Sequence, residues 1–375
     1  MIRLSFGALL AFGACLVLVG ANQQEIAAQL GLDLAETGLL GAVLALGIGI
    51  GVAGAGPLVD RWSRRPIFAV ASLGAGVSLL AFSGELTLIR AALQVGLAGC
   101  FIGAQETVVN ASIGERFGAR ASKPLLIVHS AATLGAVLTP FGIGWLATRT
   151  DWTTSFQLAG AFELALAAAV WAVRLPPPPH RDRKSTLLAP LFEVMQPAIV
   201  PFALVGFAYV GVESTLSIFA VPYVDEVLGL DGTRGRSSIS AFWGGLLLGR
   251  LLVLAWQREA DARLLVGAGI GGGLVIAIGV GWAVSPPELV FAACGISFGF
   301  VFPVMIALTG QRFSAAQGSA TGLVAGCAAL GGFVIPWLHG ALGDALGVRP
   351  SFLLLVGWCL VIVVAARSAW QRRTT

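Results

Sequence analysis

Long stretches with few or no charged residues recur along this chain, at 4–21, 37–59, 66–84, 91–105 and 262–284 among others. Each is near the length that an α-helix needs to cross a hydrocarbon core about 30 Å thick. Of the 375 residues, 57% are hydrophobic and 11% charged, against about a quarter charged in soluble domains. A soluble protein of this length needs a charged surface that these residues cannot supply. The pattern predicts a polytopic, all-α membrane protein.

The first stretch, MIRLSFGALLAFGACLVLVGANQQ, has the basic start, apolar core and small residues of a secretory signal. Many further spans follow, and it reads as the first of them. Cys15, Cys100, Cys294, Cys327 and Cys359 all fall inside apolar segments, without C-x-x-C or mixed Cys/His spacing. They read as small packing residues, not as disulfides or metal ligands. The net charge of +4 is explained by membrane topology and not by nucleic-acid binding.

Polar and turn-rich breaks divide the chain into twelve expected spans: 4–21, 36–58, 66–83, 87–111, 124–147, 154–173, 197–221, 237–256, 262–284, 288–310, 320–342 and 350–367. With the N-terminus inside, the cytoplasmic segments hold seventeen basic residues. These are Arg3, Arg61, Arg64, Arg65, Arg116, Arg120, Lys123, Arg174, Arg181, Arg183, Lys184, Arg258, Arg263, Arg312, Arg367, Arg372 and Arg373. The outer segments hold five, Arg90, Arg149, Arg234, Arg236 and Arg349, and Arg250 lies within a span. That bias predicts that both termini are cytoplasmic. The longest break, RLPPPPHRDRKSTLLAPLFEV at 174–194, has a stiff proline run and charges that keep it in water. It gives an N-terminal bundle at 1–174, a cytoplasmic linker at 175–195 and a C-terminal bundle at 196–375, with six spans on each side.

The two halves read as repeats. An offset of 196 residues brings GAVLTPFGIG (135–144) onto GGFVIPWLHG (331–340) and Ser155–Phe156 onto Ser351–Phe352. It also matches Gly99 with Gly295, Gly103 with Gly299, Gly114 with Gly310 and Arg116–Phe117 with Arg312–Phe313. One ungapped offset links two separate helix pairs. The fourth and fifth spans then correspond to the tenth and eleventh, as expected for two six-helix bundles related by a pseudo-two-fold axis along the membrane normal.

Between the second and third spans lies GPLVDRWSRRP, residues 56–66. It resembles the loop signature G-x-L-x-D-R-x-G-R-R of the major facilitator superfamily, through Gly56, Leu58, Asp60, Arg61, Arg64 and Arg65, with Ser63 in place of a glycine. The resemblance covers the whole chain and implies the major facilitator fold. In that family the loop is a conformational latch, a role carried here by Gly56, Asp60, Arg61, Arg64 and Arg65. Several further pieces resemble the fucose-permease-type branch of sugar:proton symporters. They are Glu106-x-x-x-Asn110, His129–Ser130 followed by Gly135 and Pro140, YVGVES at 209–214 and FWGGLLLGR at 242–250. The first span departs from that branch, because it has no acidic residue.

On the fourth span Gly96, Gly99, Gly103, Glu106 and Asn110 recur at helical spacing and line one stripe. Gly206, Tyr209, Glu213 and Ser217 form a similar stripe on the seventh. The resemblance turns the first, fourth, seventh and tenth helices toward a central cavity. It makes Gln105, Asn110, Tyr209, Ser217, Trp243 and Phe302 candidates for contact with substrate. A charge at a helix centre costs about 2.5–3.5 kcal/mol on insertion scales, so an acid there faces a bundle interior or a wet cavity. A carboxyl that can be neutral or charged in such a place is a usable proton carrier. Glu106 and Glu213 are the candidates for coupling, and the competing reading is a carboxyl that only bonds neighbouring helices. Glu163, on the sixth span, leans to the structural role, and Arg250 is expected to reach the cytoplasmic water through its long stem, with a role in the cavity as the alternative.

Other patterns carry less. G-x-G-x-x-G occurs at Gly49 and at Gly267, but neither follows a strand or opens a soluble helix, as a dinucleotide site requires. The three histidines, His129, His180 and His339, have no metal-ligand spacing. There is no P-loop and no Ser/His/Asp signature, so the sequence points away from ATP as driver and away from an enzyme. The expected function is secondary active transport of a small, sugar-like or otherwise polar solute across the inner membrane, by proton-coupled alternating access. The expected partners are the solute, protons and the lipid bilayer, for a monomer without cofactor, metal or nucleic acid. A proton-driven exporter of amphipathic drugs or lipids is the first alternative, and a transport-inactive membrane scaffold or sensor is the second.

Overall fold

The computed structural model describes residues 1–31, 34–82, 87–147, 149–178, 189–230, 232–256 and 261–371. Residues 179–188 of the expected linker, with His180, Arg181, Arg183 and Lys184, lie outside the described residues, as do Arg258, Arg372 and Arg373. The helices are α1 (Ile2–Ala21), α2 (Gln23–Leu30), α3 (Leu34–Arg61), α4 (Arg64–Leu80), α5 (Leu88–Phe117), α6 (Ser122–Ala147), α7 (Thr153–Ala169) and α8 (Ala189–Val194). They continue with α9 (Val200–Ile218), α10 (Ala220–Pro222), α11 (Gly232–Ala255), α12 (Ala262–Gly281), α13 (Pro287–Phe298), α14 (Val301–Arg312), α15 (Gln317–Leu346) and α16 (Val348–Gln371). No strand occurs among the described residues. The expected all-α membrane architecture stands.

Ten helical stretches among the described residues are long and apolar enough to cross a membrane, by length and composition. The other two expected spans fall on α4, with 17 residues, and α6, with 26. Seventeen residues is at the short end of what reaches across, where the range is about 17–25. The helix ends follow local chemistry. The Thr87 hydroxyl accepts the Arg90 N–H at the start of α5, and Gly118, at φ 51°, closes that helix. Asp261 caps α12 by accepting the Arg263 N–H.

The expected tenth span is broken in two. Helix α13 ends at Phe298 and α14 starts at Val301. Pro303 has no N–H to give to the carbonyl of Gly299, four residues earlier, so the ladder is interrupted there.

The described chain divides into two compact units, Met1–Met195 with Gly310–Gly326, and Gln196–Thr309 with Cys327–Thr375. In the first unit α3 packs on α5, α1 on α6, and α4 on both α5 and α7. In the second α11 packs on α13, and α12 on both α13 and α16. Glycines set these contacts, as they do where lipid gives no hydrophobic drive and only close backbone approach is left. A methyl on Gly51 would run into the Cys100 carbonyl, and one on Gly103 into that of Ile48. In the second unit Gly249 meets the Ile296 carbonyl and Gly299 that of Leu246 in the same way. Gly135 lies against Leu10 between α6 and α1, and its repeat partner Gly331 lies against Phe207 between α15 and α9. The sequence repeat is thus a repeat of helix contacts.

Candidate functional site

Helix α5 carries Glu106, at the end of its glycine stripe, into the interior of the first unit. Glu106 is 4% exposed, and its Oε1 accepts from the Asn110 amide Nδ2 at 3.4 Å, one turn along the same helix. The Asn110 carbonyl oxygen lies 2.9 Å from His129 Nε2 on α6. An amide oxygen only accepts, so that nitrogen is the donor. A chain of hydrogen bonds thus runs from imidazole to amide to carboxyl, all three groups buried. The sequence shows Glu106 and Asn110 as a pair. It does not show that His129, on another helix, completes them; a histidine in mid-span was the available signal.

The adjacent residue points elsewhere. Gln105 donates from Nε2 to Ser72 Oγ on α4 and to Glu163 Oε2 on α7, each at 2.7 Å. The Gln105 amide is therefore occupied inside the first unit, apart from the Glu106 chain. Ser72 was not among the residues singled out from the sequence.

In the second unit, Glu213 on α9 lies within electrostatic reach of Arg250 on α11 and of the Tyr209 hydroxyl one turn back. Arg250 was expected to stretch toward water. It is instead 5% exposed, and its Nε donates to the Gly299 carbonyl, the one that Pro303 leaves free. A carboxylate across the helix interface and an unused carbonyl give the guanidinium a better place than the membrane surface. The Ser217 hydroxyl, two turns beyond Tyr209 on the α9 stripe, is buried and has no hydrogen-bond partner among the described residues. Trp243 is half-buried on α11, edge-on to Phe242 with centroids 6.2 Å apart. Phe302 is half-buried just past the break between α13 and α14.

The GPLVDRWSRRP segment forms the end of α3 and the start of α4, and it meets the first turn of α15 within the first unit. Asp60 is fully buried, and its two carboxylate oxygens accept the backbone N–H groups of Gly318 and Ser319, each at 2.7 Å. These N–H groups have no partner inside α15, and a carboxylate at the positive end of a helix is doubly favoured. Gly56 permits the approach, because a methyl there would meet the Gly318 carbonyl and the Ser319 Cα. Arg64 is buried beside the segment, with Nη2 3.9 Å from Glu115 Oε2 and Nη1 donating to the Pro176 carbonyl at 3.4 Å. Arg65 donates to the Val173 carbonyl at 2.7 Å, and Arg61 sits in the last turn of α3. Gly114 and Gly310, a repeat pair, both leave room for the Gln317 side chain.

Comparison with known proteins gives this architecture a family. The family model described as Major Facilitator Superfamily matches residues 4–300. A glucose/galactose transporter of Brucella abortus is 26% identical over 250 residues, covering 62% of this chain and 60% of the relative's own length. A probable nitrate/nitrite transporter of Mycobacterium tuberculosis is 27% identical over 369 residues, covering 92% of this chain and 89% of that one. A solved structure of the E. coli fucose:proton symporter superposes with a TM-score of 0.79 at 14% identity, over 97% of this chain and 98% of that one; at that identity the likeness is one of fold. A multi-pass membrane chain with these two units, this loop signature and this match belongs to the Major Facilitator Superfamily.

Proposed function

We propose that the protein is a secondary active transporter for a small, hydroxyl-bearing polar solute, sugar-like in chemistry, driven by protons through alternating access. The observation that carries the solute class is the α9 stripe. Ser217 holds a buried hydroxyl without a hydrogen-bond partner among the described residues, one turn beyond Glu213, and the Tyr209 hydroxyl one turn before Glu213 interacts with Glu213 and Arg250. A buried hydroxyl left unbonded is rare in a finished interior and is explained when a ligand completes it. The similarity to a glucose/galactose transporter supports the same class. In this reading Glu106 carries the proton, Glu213 with Arg250 fixes the solute-binding stripe, and Asn110, Phe302 and Trp243 remain the other candidates for shaping the site, while the Gln105 amide is taken up by Ser72 and Glu163. Both termini are cytoplasmic by the distribution of basic residues, the six-helix halves are 1–174 and 196–375, and a single chain suffices.

The test is uptake into proteoliposomes of D-glucose, D-galactose, L-fucose and nitrate, each with and without an inward proton gradient. Accumulation of at least one of the sugars, abolished when the gradient is dissipated, is the expected result. Accumulation of nitrate alone, or sugar uptake indifferent to the proton gradient, would overturn the reading.

A further inference from the structure

Glu163 is a second buried acid in the first unit, and its surroundings differ from those of Glu106. It sits on α7 with no measurable exposure. Its Oε2 is held by the Gln105 amide, which also binds Ser72 on α4. Its Oε1 is buried without a hydrogen-bond partner among the described residues. Cys15 on α1 is the titratable group within electrostatic reach of it. No cation among the described residues is recorded beside it, and α4 and α5 present a serine and an amide there. The Ser72 hydroxyl also interacts with this carboxyl, so groups from α1, α4 and α5 surround the α7 acid while its Oε1 keeps no hydrogen-bond partner among the described residues.

A purely structural acid would be expected to use both oxygens, because leaving a polar atom buried and unbonded is costly. An ionised carboxylate in this position would also be an uncompensated buried charge, and a bound proton removes that cost. The position of its clamp is equally informative. Gln105 and Glu106 are consecutive on α5, so any movement of α5 that disturbs the Glu106–Asn110–His129 chain also pulls on the amide that holds Glu163.

We propose that Glu163 is a second proton-binding site of the transporter, with its free oxygen as the proton's seat and Gln105 as the positioning residue that links it to α5. This rests on the proton-driven reading above. It adds a site on α7 and supplies the first unit with a second acid although α1 has none.

The experiment is infrared spectroscopy of the protein in lipid, following the C=O stretch of protonated carboxyls as pH is varied. This readout needs no transport, so it stands even if the solute class or the coupling proves wrong. A carboxyl band that fades as pH rises, absent in Glu163→Gln but retained in Glu106→Gln, is expected. Gln105→Leu provides a second variant should Glu163→Gln fold poorly. It should displace the titration midpoint of that band, which a merely structural contact would leave unmoved. In liposomes Glu163→Gln should retain solute exchange and change the pH profile of uptake. A Glu163 band that does not respond to pH, or a band unaffected by Glu163→Gln, would overturn the proposal.

Discussion

The two units share their packing and divide their chemistry. Gly51 and Gly103 on α3 and α5 do in the first unit what Gly249 and Gly299 do in the second. The buried acids do not repeat. Where α5 carries Glu106 and Asn110, the matching positions 196 residues on are Phe302 and Ile306. The second unit in turn has Glu213 and Arg250, and the residues 198 positions earlier, the spacing between Gly51 and Gly249, are Cys15 and Val52. The first unit holds Glu106 and Glu163 with neutral amides, and the second places Glu213 near the Tyr209 hydroxyl and within electrostatic reach of the Arg250 guanidinium. A duplicated scaffold thus carries carboxyls among neutral partners in one half and a carboxyl with a guanidinium in reach in the other. Proton carriage is best sought in the first, and fixed recognition in the second.

The strongest way to break the contrast is to remove the cation. Arg250→Met should leave Glu213 as an unpaired buried charge and the Gly299 carbonyl unbonded, at a cost of about 3–5 kcal/mol. Adding Glu213→Gln should recover much of that loss, because the stranded charge is gone. Thermal unfolding in detergent of the two single variants and the double variant checks this. Equal loss in the double and the arginine variant would show that Arg250 acts by packing alone.

The shared scaffold makes the next prediction. Gly51→Val and Gly249→Val each place a side chain against a backbone carbonyl of the neighbouring helix. Each should cost about 1–3 kcal/mol, with similar values in the two halves. A large effect in one and none in the other would mean that the repeated contacts do not carry repeated energy.

How much of this was legible in the sequence follows from what is local and what is tertiary. The spans were legible because a membrane helix needs about 20 apolar residues in a row. The glycine offset was legible because close helix contact admits few other residues. The break at Gly299 was missed although Pro303 signals it, since the apolar run continues unbroken through both. Arg250 departs from the snorkelling rule because that rule describes an isolated helix, and the carboxylate and freed carbonyl near it come from α9 and from Gly299 just after α13. His129 and Ser72 were missed as partners because they meet α5 only in the folded unit. Gln105 shares a turn with Glu106, but a step of one residue turns a helix side chain by about 100°, enough to give it to α4 and α7.

A smaller effect is expected at the loop signature. Asp60→Asn keeps the size of the side chain but loses the charge that caps α15, costing about 1 kcal/mol. The variant should fold, transport more slowly and change the accessibility of cysteine probes between the two faces of the membrane. Wild-type transport rates with unchanged accessibility would remove the latch role from Asp60.

The division of labour is tested most directly at Glu106. Glu106→Gln preserves size and most hydrogen bonding with Asn110 while removing titration, so its effect on stability should be the smallest of these. The measurement is solute accumulation under a proton gradient, beside solute exchange at equal pH, in the same proteoliposomes. Accumulation should be lost and exchange retained, because the binding stripe of the second unit is untouched. Gradient-driven accumulation at the wild-type level in Glu106→Gln would contradict the assignment of proton carriage to this residue.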